Sequence, residues 1–466
     1  MPGLSARDRS AIHRRAVILQ RLHALRGYLL GHGLGPFVIR SVAGTGAVQL
    51  AGMFFTFLVG VQLARGLGVR GYGYYALAFS IITIAGIPAQ MGLSRLVTRE
   101  VATSAAASDW PRLFGVLHWA DRICLLSSLL IATAVVIATF LIRSGSPLSA
   151  AVLFGAPIIP LVALARIRGG ALQGLNHVVR GQIPAMLLRP ALISLMLFAA
   201  HLAGRTLHAR AAMAINSIAA AAVLLLAHLW LRRRLPPDRP AELLITSRPW
   251  LASSIPLALT EGMRVLQGEL SILLVGLIAA PAAVGLFRIA NSTIAMAAAA
   301  IPIVLFVALP VIARLHAQQD RARLQRAVTA FAWLQFGGVA LLSLPLLVAA
   351  EPLLQLVFGA QFVPAANVLR VLALGQIVSA AFGPNAALLN MTHHEKRVMR
   401  AMAVSLILSL AIIPLGLAAW GIVGAAVASV VSLLCWNLML WSDARRFLAI
   451  DTCAFRSGRQ WRGRTA

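Results

Sequence analysis

The sequence has few charged residues, and very few of them are acidic. Only 12% of the 466 residues are charged, with 13 Asp and Glu against 41 Lys and Arg. A soluble domain normally carries roughly a quarter of its residues as charges. The composition therefore excludes an ordinary soluble enzyme, and it leaves few carboxylates for acid–base or metal chemistry.

Cysteine is also scarce, with only Cys124, Cys435 and Cys453 in the chain. They are far apart and form none of the CxxC or Cys/His spacings that zinc or redox sites use, so we expect free thiols. The Walker A sequence of P-loop ATPases is absent, which argues against direct ATP coupling. The sequence thus predicts a protein that is not an enzyme and needs no cofactor.

Long apolar runs are abundant. Hydrophobic residues make up 60% of the chain, and the mean hydropathy is +0.85. Runs near 20 residues recur, each long enough to cross about 30 Å of hydrocarbon as a helix. We predict an all-α integral membrane protein with about twelve transmembrane helices. The predicted spans are approximately residues 41–64, 74–93, 119–142, 148–165, 183–204, 211–231, 250–279, 283–311, 328–350, 363–390, 398–416 and 420–441.

The arginines lie mainly between alternate spans. Most occupy one set of loops, for example Arg232, Arg233 and Arg234 after the sixth span. Because cytoplasmic loops retain Lys and Arg, this asymmetry predicts an inner-membrane protein with both termini in the cytoplasm. Nucleic acid is not an expected partner, because its binders collect basic residues and stacking aromatics on a soluble face. The arginines predicted outside are Arg65, Arg70, Arg143, Arg205 and Arg210.

Two pairs of segments indicate an internal duplication. GYYALAFSIITIAGIP, from Gly73, resembles GLFRIANSTIAMAAAAIP, from Gly285, and ALQGLNHVVR, from Ala171, resembles ALLNMTHHEK, from Ala387. The offsets, about 212 and about 216 residues, nearly agree. A repeat with six spans per unit keeps both units in the same orientation, so we predict two parallel six-helix bundles.

These patterns suggest five regions. We expect the first bundle over residues 41–231, the second over 250–441, and a basic cytoplasmic linker over 232–249. Residues 1–40 are basic with apolar residues at near-helical spacing, which indicates either an amphipathic helix on anionic headgroups or a disordered basic tail. Residues 442–466 are expected to form a basic cytoplasmic tail.

The chain also resembles a known family. The motifs that carry the resemblance are ARGLGVRGYGYYALAFS, MGLSRLVTREVA, ALQGLNH, LLRPAL, SRPWLASSIPLAL, VGLFRIAN, LVFGAQFVPAANVLRVLALGQ and GPNAALLNMTHH, in that order. They look like the bacterial polysaccharide transporters, the O-antigen and exopolysaccharide flippases of the multidrug/oligosaccharidyl-lipid/polysaccharide (MOP) exporter superfamily. The resemblance covers about residues 40–440 and marks the family better than its cargo.

The resemblance implies a fold and a substrate class. The two bundles are expected to surround a central cavity, and alternating access is expected to move an undecaprenyl-pyrophosphate-linked glycan from the inner to the outer leaflet. The implied partners are the lipid bilayer, the lipid-linked glycan, a polysaccharide polymerase, and an H⁺ or Na⁺ gradient. A diphosphate cannot cross hydrocarbon unaided, so charges inside the spans are the residues to examine.

The seventh span carries a polar stripe. Ser253, Thr260, Arg264, Gln267 and Ser271 fall on one helical face, which is typical of a cavity lining, and Arg264 is placed to bind phosphate. The alternative is that Glu261, three residues earlier, neutralises Arg264 and the pair only packs between helices. Glu261 is also the one candidate for proton or sodium coupling, whereas Glu269 is expected to be an interhelical partner.

Three further residues are candidates for substrate binding. Arg288 and Asn291 lie one turn apart in the eighth span, although Arg288 could instead reach the outer headgroups. For Arg189 in the fifth span, anion binding and contact with headgroups are both open. The competing functions are an ion-coupled drug or metabolite exporter, for which acidic cavity residues are expected, and a non-transporting partner of glycan polymerisation.

Overall fold

The computed structural model describes residues 34–143, 145–237, 240 and 242–455. These residues form helices and connecting turns, with no strand among them. The first half comprises α1 (Leu34–Gln90), α2 (Leu93–Ala106), α3 (Trp110–Arg143), α4 (Pro147–Gly155), α5 (Ile158–Gly174), α6 (Val178–Ile183), α7 (Arg189–Leu202) and α8 (Ala209–Arg232). A π-helical turn, Pro184–Leu188, links α6 to α7.

The second half continues from the long helix that carries the predicted polar stripe. It comprises α9 (Ser247–Ile278), α10 (Pro281–Ala297), α11 (Ala300–Ala317), α12 (Arg321–Val348), α13 (Ala350–Phe358), α14 (Ala366–Ala381), α15 (Asn385–Met391) and α16 (Glu395–Asp443). A 3₁₀ turn, Ala360–Ala365, joins α13 to α14. A π-helical turn, Ala444–Leu448, follows α16.

Nine helical runs among the described residues are long and apolar enough to cross a membrane. The runs Gly44–Ala106 and Glu395–Leu448 each contain two predicted spans, separated by backbone breaks at Gly68 and at Trp420–Gly421. Helix α9 falls outside the nine because the polar stripe lowers its hydropathy. Dividing the two long runs and adding α9 is consistent with the twelve spans predicted, and the protein is an all-α, multi-pass membrane protein.

Prolines explain several breaks inside the predicted spans. The predicted span 283–311 is two helices, α10 and α11, separated at Ala298–Ala299. Pro302 has no amide hydrogen to donate to the carbonyl of Ala298, four residues earlier, so the helix ladder is interrupted there. The π-helical turn in the fifth span likewise begins at Pro184. These breaks shorten the regular segments without changing the number of crossings.

Left-handed turn residues show the duplication in the backbone. Among the first-half residues with positive φ, four that lie in connections between helices have a counterpart 211 to 217 residues later. The four pairs are Ser108 and Gln319, Gly145 and Gly359, Asn176 and His393, and Gly204 and Gly421. Matching turns at nearly constant displacement mean that the two halves share one helix order, and they form two parallel bundles around a central cavity.

The helix ends define two ends of the molecule. We call the end that holds the α2–α3, α5–α6 and α11–α12 connections the basic end, and the end that holds the α3–α4, α7–α8 and α9–α10 connections the far end. At the basic end, a Cβ on Gly174 would lie 2.7 Å from the carbonyl oxygen of Thr98, so the α5 terminus packs closely on α2.

The two halves are closely packed at the far end. A Cβ on Gly73 would overlap the carbonyl oxygen of Pro281, and a Cβ on Gly285 would overlap that of Val69. Gly73 and Gly285 are the residues that open the two repeated segments, so equivalent helices cross symmetrically at their glycines. Arg65 adds a second contact, since its Nε donates to the carbonyl oxygen of Val357 at 2.8 Å and its Nη2 donates to that of Leu356.

The described end of the chain packs back onto the second half. Asp451 accepts a hydrogen bond from the Trp441 Nε1 at 2.9 Å, and the Ala454 amide donates to the carbonyl oxygen of Ala381 at 2.8 Å. Phe455 packs edge-on against Trp333 and Phe336, with ring centroids 4.9 Å apart in each case. The predicted basic tail therefore begins as a packed segment.

The predicted amphipathic N-terminal segment lies almost entirely outside the described residues. Of residues 1–40, only 34–40 are described, and they already belong to α1.

Candidate functional site

Three arginines surround Glu261 in the basic-end half of the molecule. Arg264, one turn along α9, binds both carboxylate oxygens, with its Nε 3.2 Å from Oε2 and its Nη2 2.5 Å from Oε1. From the first half, Arg166 Nη1 lies 3.3 Å from Oε1 and Arg95 Nη2 lies 3.4 Å from Oε2. We call Arg95, Arg166, Arg264 and Glu261 the arginine cluster.

The arginine cluster carries more positive than negative charge. One carboxylate faces three guanidinium groups, and Gln90, which accepts from Arg166 Nη1 at 2.7 Å, adds no charge. The arginine side chains remain 55% (Arg95), 37% (Arg166) and 58% (Arg264) exposed, whereas Glu261 is 19% exposed. Guanidinium groups form paired hydrogen bonds with phosphate oxygens, so the cluster can bind an anion that carries two or more charges.

A second cationic group lies further along α9. Arg288 Nη1 of α10 is 2.8 Å from Glu269 Oε2, and the Ser80 hydroxyl of α1 donates to the same oxygen at 2.6 Å. The Arg288 guanidinium also lies over the Phe79 ring, 5.6 Å from its centroid. Glu269 is thus the interhelical partner expected from the sequence. Eight residues separate it from Glu261, which is about 12 Å along the helix.

The Arg288–Glu269 pair is expected to stabilise the fold. In Arg288→Ala the 14% exposed carboxylate of Glu269 loses its counter-charge, and breaking such a buried pair typically costs about 3–5 kcal/mol. The double variant Arg288→Met with Glu269→Gln should recover most of this loss, because neither charge remains. Apparent melting temperatures of the detergent-solubilised proteins test this. A single variant as stable as the double variant would contradict it.

Arg189 is held inside the first half. Its Nη2 donates to Asn216 Oδ1 of α8 at 2.8 Å, and Asn216 Nδ2 donates to the Tyr75 hydroxyl at 3.2 Å. Asn216 is only 2% exposed. In this conformation Arg189 joins helices α7, α8 and α1, and it does not join the arginine cluster.

The other predicted residues fall into two groups. Thr260 is exposed and donates to the carbonyl oxygen of Pro256 within its own helix, and Ser271 pairs with Ser429 of α16 at 3.2 Å. Gln267 and Asn291 are half-buried, and neither side chain makes a hydrogen bond within the described part of the chain. Of the candidate ligands, only Arg264 joins the arginine cluster together with Glu261.

Sequence reasoning missed Arg95, Arg166 and Gln90 as members of this site. The first two were assigned to cytoplasmic loops, whereas the structure places them within α2 and α5. Arg166 is 95 positions from Glu261 in the sequence, and Arg95 is 166 positions from it. Contacts over such separations leave no periodic signal. The available clue was that Arg166 directly follows the apolar run of the fourth span.

Metal and thiol chemistry find no support in the described residues. No group of three or more His, Cys, Asp and Glu side chains there could hold a metal ion. Cys124, Cys435 and Cys453 are free. Outside the spans, burial and the nearby Arg234 and Arg180 guanidinium groups lower the pKa of His177 below its ordinary value.

Residues 38–316, more than half of the chain, match the sequence profile of a family described as polysaccharide biosynthesis protein. The chain belongs to this family. The matched region of this chain includes the whole arginine cluster and Arg288. No curated protein matches the chain significantly by sequence.

Solved transporter structures share the fold of this polysaccharide biosynthesis protein. An inward-facing multidrug resistance MATE family transporter of the MOP superfamily gives a TM-score of 0.68 at 14% identity, covering 86% of this chain and 98% of that one. The lipid II flippase MurJ, in an inward closed conformation, gives 0.68 at 13% identity, with 87% of each chain covered. An outward-facing MATE transporter gives 0.60 at 14% identity, covering 90% and 97%.

Proposed function

We propose that the protein moves an undecaprenyl-pyrophosphate-linked oligosaccharide, an O-antigen or exopolysaccharide repeat unit, from the inner to the outer leaflet by alternating access. The observation that carries this proposal is the arginine cluster, in which both halves supply guanidinium groups to one site with surplus positive charge. The diphosphate is the charged part of such a lipid, and it needs compensation wherever hydrocarbon surrounds it.

The arrangement along α9 supports a path for the headgroup. Along α9, the arginine cluster lies on the basic-end side of Glu269. Arg288 pairs with Glu269, about two helical turns from Glu261. Gln267 lies between Arg264 and Glu269 in sequence, while Thr260 and Asn291 extend the polar surface for sugar hydroxyls. Arg189 binds the substrate only after its hydrogen bond to Asn216 is broken.

The orientation follows from the charge asymmetry. The basic end faces the cytoplasm, both termini are cytoplasmic, and the protein resides in the bacterial inner membrane. The far end, where Gly73 meets Gly285, is then the closed outer end. Substrate enters from the cytoplasmic side, where the arginine cluster lies, and a proton or sodium gradient acting at Glu261 supplies directionality. A polysaccharide polymerase takes the product on the outer side.

Deletion followed by lipid extraction tests this function. The deletion strain should lose surface glycan and accumulate polyprenyl-pyrophosphate-linked oligosaccharide on the cytoplasmic leaflet. The measurement is extraction of lipid-linked glycan from inside-out and right-side-out vesicles, with sugar labelling that cannot cross the membrane. Complementation with the intact gene is the control.

Two other outcomes would replace the proposal. Normal surface glycan with altered drug tolerance would assign the protein to exporters such as the MATE transporters that share its fold. A strain that flips the lipid-linked unit normally but makes short polymers would instead assign a role in polymerisation. The surplus of arginine over glutamate in the cluster favours an anionic cargo over a cationic drug.

A further inference from the structure

We propose that Glu261 is a built-in substitute for the diphosphate of the substrate, and that it excludes singly charged anions from the arginine cluster. This inference rests on the proposed function and concerns the regulation of the same site. Glu261 lies among the arginines where an anionic ligand is expected, and it belongs to the protein itself.

The hydrogen-bond geometry suits an exchangeable anion. Each carboxylate oxygen accepts from two guanidinium groups, one from Arg264 and one from the first half. Arg264 makes two bonds to the carboxylate, at 2.5 and 3.2 Å, whereas Arg95 and Arg166 make one each, at 3.4 and 3.3 Å. Glu261 can therefore leave the first-half arginines while it stays paired with Arg264, three residues along the same helix.

The charges decide which ligand can replace Glu261. A chloride ion brings the same single charge as the carboxylate and gains nothing by exchange. A diphosphate diester brings two negative charges and several acceptor oxygens, so it matches Arg95 and Arg166 better than the single carboxylate that they share with Arg264 does. Glu261 thus sets a threshold of two charges, which is the charge of a lipid diphosphate.

Displacement also changes how the halves are connected. Glu261 ties α9 to α2 through Arg95 and to α5 through Arg166. When a diphosphate takes over these two arginines, the direct ion pairs between α9 and the first half at the basic end are lost. Loading is therefore coupled to release of α9 from α2 and α5.

Binding of inorganic pyrophosphate to the purified full-length protein tests the inference. Because Glu261 competes with the ligand, Glu261→Gln should bind pyrophosphate about tenfold more tightly than wild type, which corresponds to roughly 1.4 kcal/mol of competition removed. Chloride should weaken binding to Glu261→Gln more than binding to wild type. Isothermal titration in detergent at two chloride concentrations measures both effects.

The controls separate competition from a structural role. Glu351→Gln removes a carboxylate that is 56% exposed and pairs with Arg370 near the far end, and it should leave pyrophosphate binding unchanged. Glu261→Asp keeps the charge but shortens the reach, so it should bind more tightly than wild type, and it replaces Glu261→Gln if that variant does not purify as a folded protein. Equal or weaker binding in the purified Glu261 variant would overturn the inference.

Failure of this inference is distinguishable from failure of the proposed function. If the deletion strain accumulates lipid-linked glycan but Glu261→Gln does not tighten pyrophosphate binding, Glu261 only positions the arginines. If Glu261→Gln tightens binding while the deletion strain handles its glycan normally, the site selects polyvalent anions and the cargo is a different one.

Discussion

Replacing Arg166 and Arg264 together with alanine is expected to abolish surface glycan in a strain that carries only this variant. Hydrogen bonds to charged groups contribute about 1.5–3 kcal/mol each, so losing two weakens diphosphate binding by roughly 10²- to 10⁴-fold. Both side chains are more than one third exposed, and Arg95 remains beside Glu261, so the fold should tolerate the change. Quantified surface glycan, normalised to the amount of protein in the membrane, measures the effect.

Matched variants make the result specific to the arginine cluster. Arg326→Ala removes an exposed arginine of α12 whose guanidinium, among the described residues, bonds only to the carbonyl oxygen of Ala322 in its own helix, and it should leave surface glycan unchanged. Arg264→Lys keeps the charge without the planar fork and should retain part of the activity. Full surface glycan in the double alanine variant would remove the cluster from the transport path.

The second large effect is expected at the helix crossing of the far end. In Gly73→Ala the added methyl group overlaps the carbonyl oxygen of Pro281, which is backbone and cannot rotate away. Overpacking of this kind typically costs about 1–3 kcal/mol, so the conformation closed at the far end should lose about 5- to 150-fold in relative population. We expect the variant to favour a conformation in which the halves separate there.

Electron–electron distance measurements can detect this separation. In a protein whose three native cysteines are replaced, spin labels at Arg70→Cys and Gln355→Cys report on two exposed sites of opposite halves near the far end. Gly73→Ala should add a population at longer distance. Gly337→Ala is the control, since nothing lies within 4 Å of the added methyl group. Identical distance distributions in both variants would show that the crossing does not control the closed end.

The sequence predicted the helices better than it predicted their contacts. Apolarity locates a span wherever lipid surrounds it, and the span predicted at 250–279 is α9, Ser247–Ile278. The interruption at Ala298–Ala299 was harder to predict, because AMAAAA has high helix propensity and the signal rests on Pro302 alone. Local composition therefore fixes the number of crossings more firmly than the breaks within them.

The candidate site was only half predictable for a related reason. Helical periodicity places Arg264 and Glu261 on one helix, three residues apart, and the structure shows the ion pair between them, while the lining of a cavity by this stripe stays a prediction. Nothing in that periodicity indicates that Arg95 and Arg166 approach from other helices. Arg189 was a candidate ligand in the sequence, but in the structure it contacts Asn216 and lies outside the cluster. That contact depends on how α7 packs against α8, which the sequence pattern does not indicate.

The symmetric crossing of Gly73 and Gly285 also has an evolutionary consequence. Equivalent residues that face each other across a pseudo-twofold axis are the residues that would meet their own copies in a dimer of half-length chains. Such a chain, with six crossings and both ends on one side, could have formed this interface before gene fusion. After fusion the copies were free to diverge, and the arginine cluster is a product of that divergence, because its only carboxylate lies in the second half.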